Sequence, residues 1–317
     1  MRAAYASAIK PDDPLAALTV GERPEPVLPT DDWVSVEVRA SALNHHDLWS
    51  LRGVGLRAEQ LPMILGCDAA GIDPDGNEVV VHAVIDDPTD QRGYSLLSER
   101  HQGALADRVA VPRGNLVVKP AGFSFAEAAC LPTAWLTAWR MLTTRGRVAD
   151  GESVLVQGAG GGVATAAVAL GVAMGKRVYA TSRSAAKRER VSELGATAVA
   201  PGVRLPERVD VVIETVGEAT FDHSMKSAAP GARIVVAGCT SGPTPPVDLR
   251  RVFWLQLEIL GSTMGSANEL QSLLAFLTSS GLRPVIDSAH GFTEAEQAFA
   301  RLASGEAFGK VVIDHTR

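Results

Sequence analysis

Cysteine is scarce. The 317 residues contain three, Cys67, Cys130 and Cys239. They lie far apart and no two share a CxxC spacing, so neither a disulfide framework nor a cysteine-rich structural zinc site is expected. Basic residues are not in excess either: 30 Lys and Arg face 36 Asp and Glu, a net charge of −6. A nucleic-acid footprint needs a basic face, so no nucleic-acid partner is expected. No apolar run reaches the roughly 18–20 residues that span a bilayer. The opening stretch, MRAAYASAIKPDDP, meets charge and proline before an apolar segment of signal-peptide length can build. The expectation is a soluble, cytoplasmic protein with no membrane partner.

What the chain does have is core-forming material. Hydrophobic residues make up 46% and charged residues 21%, which supports a sizeable core and excludes wholesale disorder. The length suggests about two domains. Residues 1–118 are β-rich: Val34-Ser35-Val36-Glu37-Val38 alternates as a half-buried strand does, and Glu78–His82 reads as another. Residues 84–103 are polar and turn-rich, a surface lobe. Ser124 with Glu127 is a capping-box pair that opens an alanine-rich helix. From Ser153 the pattern changes. Strands SVLVQ, RVYATS, VDVVIETV and ARIVVAG alternate with helices GVATAAVALGVAMG, AAKRERVSELG and TFDHSMKSAA. Such alternation implies βαβ units and a parallel sheet. Beyond residue 258 follow a helix (NELQSLLAFLTSSG), a strand (PVID), a helix (TEAEQAFARLASG) and a last strand (KVVIDH).

The strand Val154-Leu155-Val156 runs into Gln157-Gly158-Ala159-Gly160-Gly161-Gly162-Val163, and a helix follows at once. Glycines at a strand-to-helix turn let the backbone approach a pyrophosphate seated on the helix N-terminus. The alternative is a tight βα turn without a ligand. An NAD site places an acid at the end of the second strand. No acid occurs between Glu152 and Glu189; Ser182 and Arg183 stand there instead, with Lys187 and Arg188 close behind. That charge attracts a 2′-phosphate, so NADPH is expected over NADH; the alternative is a solvated basic helix start.

These segments, with ASALNHHDLW, LPMILGCDAAG, AACLPTAWLTAWRML, EILGSTMG and FGKVVI, resemble the medium-chain dehydrogenase/reductase superfamily, and within it the zinc-independent quinone oxidoreductase branch. The resemblance covers nearly the whole chain. It implies an α/β fold: a GroES-like β-rich catalytic domain built from residues 1–118 and 259–317, and a Rossmann doubly wound parallel-sheet domain over 119–258. The three positions that match catalytic zinc ligands in the metal-dependent relatives hold Asn44, Cys67 and Thr133. One good zinc donor in three is too few, and residues 84–107, which match the structural-zinc lobe, hold no cysteine. No metal is expected. Without a Lewis acid, carbonyl reduction loses its main electrostatic aid, whereas a quinone or enone delocalises the developing oxyanion. NADPH-dependent hydride transfer to a quinone or an α,β-unsaturated carbonyl is the activity this implies.

The resemblance also nominates residues. Asn44 is placed with its amide toward nicotinamide and substrate, and His46 as the residue that delivers or shuttles a proton. His45 matches a pyrophosphate contact. Thr137 matches a nicotinamide contact, and Gly238, Cys239, Gly261 and Ser262 stand at strand ends that line the nicotinamide in relatives. Val216 and Gly217 match the turn near the adenosine ribose. With Ala159, Gly160, Gly161, Gly162, Val163, Ser182, Arg183 and Lys187 they complete the expected cofactor set. Trp49, Tyr94 and Trp254 are candidate walls for a flat substrate. Lys310 matches a recurrent family residue with no role assigned. The apolar run Val252–Leu260 matches the sheet edge through which relatives pair, so a homodimer is expected. Two alternatives stay open: an alcohol or aldehyde dehydrogenase with an atypical metal site, and a non-catalytic NADPH-binding regulatory protein.

Overall fold

The alternation at Val34–Val38 belongs to a ten-residue strand that organises the N-terminal part of the chain. The computed structural model describes every residue from Met1 to Arg317. In chain order the first elements are β1 (Arg2–Ala6), β2 (Leu18–Glu22), β3 (Trp33–Ala42), α1 (His45–Leu51), β4 (Met63–Ile64), β5 (Ala69–Ile72), β6 (Glu78–Val81), β7 (Val84–Asp86), β8 (Tyr94–Leu96), β9 (Arg108–Pro112), β10 (Leu116–Val118) and α2 (Phe125–Ala129). Val34, Val36 and Val38 on β3 are buried while Trp33, Ser35 and Glu37 are half-exposed, the period of two that a sheet with one wet face imposes.

Next come α3 (Leu136–Arg140), β11 (Ser153–Val156), α4 (Gly162–Ala173), β12 (Arg177–Thr181), α5 (Ala185–Glu193), β13 (Thr197–Val199), β14 (Val209–Glu214), α6 (Glu218–Ser227), β15 (Ala228–Val236), α7 (Leu249–Trp254) and β16 (Glu258–Gly261). The six strands are all parallel, in the order β13-β12-β11-β14-β15-β16. That is the Rossmann order, with its switch point between β11 and β14. Helix α4 is buried from Ala164 to Gly171, as an apolar helix with no wet face must be.

The chain then returns to its first part through α8 (Ala267–Ser280), β17 (Ile286–Gly291), α9 (Ala295–Ala303) and β18 (Lys310–Asp314). β18 pairs antiparallel with β3 and parallel with β17. On α9, Ala295, Ala298, Phe299 and Leu302 are buried, a helical i, i+3, i+4, i+7 stripe. They join Leu43, Leu48, Leu51, Met63, Leu65 and Leu105 with Phe292, Val311 and Ile313 in one core.

Two compact units result: residues 1–133 with 265–278 and 286–317, and residues 134–264 with 279–285. The sequence reading drew the boundaries at 118 and 258. The first unit extends further because α2 packs on β3 and β5. A second adjustment concerns Val252–Leu260. It is not one extended run: α7 ends at Trp254, Gln256 takes a left-handed turn (φ 51°), and only Glu258–Gly261 is strand.

The last turn of chain carries a buried histidine. His315 Nε2 lies 2.8 Å from Ser41 Oγ, which donates to Ala104 O at 2.8 Å, and the ring meets Phe292 edge-on at 4.9 Å. With the Ser41 proton on Ala104, Nε2 is the donor and Nδ1 is a bare, buried lone pair. Burial pushes this imidazole down to about 4. An unfolded histidine takes its proton near pH 6.5, so stability is full above about 6.5 and falls as pH drops toward 4. The loss is about 3 kcal/mol. His315→Gln keeps a donor for Ser41 and should lose markedly less than the wild type between pH 7 and pH 4 in urea unfolding. Equal acid sensitivity in the two proteins would refute the assignment.

Candidate active site

The centre of the first unit is an ammonium group. Lys310 opens β18 and is 2% exposed. Its Nζ donates to Leu43 O at 2.8 Å, Asn44 Oδ1 at 2.6 Å and Asp68 Oδ2 at 2.8 Å, which uses every proton it has. Asn44 Nδ2 donates to the same Asp68 oxygen at 2.8 Å. Asp68 is fully buried, and its other oxygen has no partner. The Asn44 amide therefore has both its polar atoms in this knot. The sequence reading aimed it at the nicotinamide; the structure turns it inward, because a buried Lys–Asp pair needs its remaining hydrogen-bonding capacity filled.

Asp47 secures the same loop. Its carboxylate accepts the Asn44 N–H at 2.8 Å and the Gly66 N–H at 2.9 Å. Burial pushes its acid upward, against the pull of His46, these N–H groups and Lys310. Between Asn44 and Asp47 stand the two histidines. His45 is exposed. His46 is half-buried, with Nε2 3.0 Å from Glu99 Oε1 and Nδ1 3.6 Å from Cys67 Sγ. Burial opposes its protonation, but Cys67, Glu99 and Asp47 outweigh that and hold the imidazole well above its ordinary value. Burial pushes the Cys67 thiol up, and its Sγ donates to Leu97 O at 3.2 Å. Glu99 is the carboxylate that pairs with His46.

In the second unit the turns at the carboxyl ends of the strands come together. A Cβ on Gly158 would lie 2.5 Å from Val216 Cγ2, and one on Gly217 would lie 3.1 Å from Cys239 Cα. Gly160 (φ 127°) lies under Lys187, whose Cδ would stand 2.7 Å from an added Cβ. An added Cβ on Gly161 would meet nothing within 4 Å, so the turn has room above it. Helix α4 starts at Gly162, and the N–H groups of its first turn have no intrahelical acceptor. Glycine backbone, helix start and Lys187 amine are the donor set a pyrophosphate takes, and the residues fit a dinucleotide. Arg188 Nη1 donates to Ser182 O at 2.8 Å and Arg183 O at 3.0 Å, pinning the turn after β12; Arg183 itself is exposed.

A chain of buried polar groups fixes these turns relative to one another. Thr181 Oγ1 accepts the Gly158 N–H and donates to Gln157 Oε1 at 2.7 Å. Gln157 Nε2 donates to Ser224 Oγ at 3.0 Å, and Ser224 donates to Glu214 Oε2 at 2.6 Å. Glu214 Oε1 accepts the Val216 N–H at 2.8 Å and the Gly217 N–H at 3.1 Å.

The remaining nominees lie on other elements of the two units. Thr137 is buried on α3, and Thr133 Oγ1 is buried without a partner. Ser262 donates its N–H to Val236 O at 2.8 Å, so Gly261–Ser262 closes the sheet edge beside Gly238. Trp49 and Tyr94 are half-buried, and Arg92 lies 5.0 Å over the Tyr94 ring. Trp254 is 80% exposed on α7. Sequence reasoning gave no role to Lys310, Glu99 or Glu214, and weighed Asp68 only as a member of an improvised metal site with His45, His46 and Cys67. Lys310 carried the one usable signal: a lysine opening the apolar run Val311–Ile313 of the strand KVVID.

Residues 30–138 match the alcohol dehydrogenase GroES-like domain, and residues 162–279 match the zinc-binding dehydrogenase domain. A zinc-type alcohol dehydrogenase-like protein of Schizosaccharomyces pombe is 30% identical over 88% of this chain and 90% of its own. The 2-methylene-furan-3-one reductase of Solanum lycopersicum is 32% identical, over 89% and 72%. The chain belongs to the medium-chain dehydrogenase/reductase superfamily. As a member it is an oxidoreductase that works on small molecules with a pyridine nucleotide. Among solved structures, an NAD-dependent alcohol dehydrogenase of the superfamily superposes with a TM-score of 0.89 at 33% identity, over 99% of each chain. No helix is long and apolar enough to cross a membrane.

The Lys310 knot makes a stability prediction. Lys310→Met strands the Asp68 carboxylate in the core and should cost about 3–5 kcal/mol in urea unfolding. Adding Asp68→Asn should recover a large part of that loss. No recovery in the double variant would mean that the pair is not the source.

Proposed function

We propose that this chain transfers a hydride from NADPH to a quinone or an α,β-unsaturated carbonyl without a catalytic metal. The observation that carries the metal-free part is the inward amide of Asn44. Of the three positions that hold zinc in metal-dependent relatives, Asn44 has its oxygen on the Lys310 ammonium and Thr133 offers a hydroxyl. Cys67 alone is a strong donor. A cation placed there would also face the Lys310 charge.

When bound, the nicotinamide supplies the hydride. The protein's part is to bind, orient and hold a proton. The glycine turn and Lys187 receive the pyrophosphate. Ser182, Arg183 and Lys187 offer hydroxyl and positive charge, and no carboxylate, where a 2′-phosphate sits. An enone or quinone spreads the developing negative charge, so a few donors suffice in place of a Lewis acid. The 2-methylene-furan-3-one reductase, an enone reductase by name, supports this substrate class.

The reading extends to a homodimer. Leu249, Phe253 and Trp254 on α7 and Ile259 on the edge strand β16 are 70, 67, 80 and 42% exposed. An apolar edge of this kind calls for a partner, and a second copy pairing along β16 covers it.

Three measurements test these parts. NADPH oxidation should proceed with quinones and enones, unaffected by chelator and with no stoichiometric zinc after dialysis. One retained zinc per chain that supports alcohol oxidation would overturn the reading. Arg183→Glu should raise KM for NADPH about tenfold or more and change KM for NADH little; equal effects on both would exclude a 2′-phosphate role. In sedimentation velocity the wild type should run as a dimer and Ile259→Lys as a monomer.

A further inference from the structure

Glu99 reaches His46 by construction rather than by chance. It follows β8 in the 84–103 lobe, and the residue before it, Ser98, sits in the left-handed region (φ 63°). Gly55 (φ 80°) makes room for it: a Cβ there would lie 2.8 Å from Glu99 Oε1. Gln60 Nε2 donates to the Glu99 carbonyl at 2.5 Å. The two carboxylate oxygens have separate partners. Oε1 lies 3.0 Å from His46 Nε2 and Oε2 lies 3.7 Å from Arg92 Nη1, with Arg92 also paired to Asp90. The Glu99 side chain is 15% exposed.

The other ring nitrogen is held lightly. Cys67 gives its own proton to Leu97 O. Its sulphur therefore offers His46 Nδ1–H only a weak acceptor, 3.6 Å away. Glu99, Cys67 and Asp47 are the titratable groups that face the ring, with Arg92 behind Glu99. Two roles are thus divided between the two nitrogens, a firm anchor at Nε2 and a loosely held proton at Nδ1.

We propose that Glu99 is the positioning residue of a proton-donating histidine: it anchors Nε2–H, fixes the ring and leaves His46 Nδ1–H as the proton the reduced substrate takes. This rests on the hydride-transfer reading above. Hydride addition to the β-carbon moves the C=C electron pair toward oxygen and leaves an enolate. The N–H bond of Nδ1 breaks and its proton forms the α-C–H bond, or the O–H bond of a hydroquinone. His46 is then neutral, still anchored through Nε2, and Nδ1 regains a proton from water after product leaves.

The test has two arms. In the first, 13C-labelled histidine NMR follows the His46 ring in the cofactor-free protein, assigned by His46→Gln. Glu99→Gln should lower its titration midpoint by about one unit or more, and Glu99→Asp, which keeps the charge, should recover part of the shift. In the second, kcat is measured against pH with NADPH and either 2-cyclohexen-1-one or 1,4-benzoquinone. The alkaline limb should move down with the NMR midpoint, so that kcat falls about tenfold at alkaline pH and little at acid pH. KM for NADPH should stay unchanged. A midpoint that does not move in Glu99→Gln, with turnover intact, overturns the role of Glu99. A midpoint that moves while the kcat limb stays fixed overturns His46 as the donor. No turnover by the wild type with either acceptor overturns the hydride-transfer reading and the donor role with it.

Discussion

An ammonium group taken out of water must find three acceptors or unfold what surrounds it. Lys310 finds a carbonyl and an amide oxygen on the consecutive residues Leu43 and Asn44 and a carboxylate on Asp68. Desolvating the pair is costly, and only full hydrogen bonding offsets it. The cost therefore fixes geometry. Leu43, Asn44, Asp68 and Lys310 have one arrangement in which all their polar groups but one are satisfied, and α1 begins from it. His46 stands two residues into that helix and so inherits its place from a lysine far along the chain.

The second unit solves a similar problem without net charge pairing. Its binding turns belong to different strands, and nothing in a parallel sheet alone sets their mutual positions to fractions of an ångström. The Thr181–Gln157–Ser224–Glu214 chain does so. Each member is buried and each hydrogen bond is handed on to the next. A site meant to receive a rigid dinucleotide benefits from turns that do not need to reorganise when it arrives.

The sequence disclosed what periodicity and glycine can disclose. The parallel sheet, the glycine turn at Gly158–Gly162 and the stripe on α9 all follow from local pattern, because burial on one face is written at fixed spacing. The acid-free end of β12 was equally visible. What stayed hidden depends on distant partners. Nothing near Asn44 reveals that a lysine 266 residues away takes its carbonyl oxygen. Glu99 lay in a lobe read only as polar surface, since its meaning comes from a left-handed serine and a glycine that lets it approach. The Val252–Leu260 run misled in detail, because an apolar stretch does not say where a helix stops and a strand starts.

The first unit is interrupted in sequence by the second, and its middle strand shows what that entails. β3 emerges early, yet the neighbour on one of its sides, β18, is made only after the whole Rossmann segment. During synthesis the Rossmann segment can close on contacts within itself, while β3 waits with an open edge and its core without Phe299, Val311 and Ile313. The order in which the protein becomes itself is therefore the reverse of the order in which it is read: the half begun first is completed last.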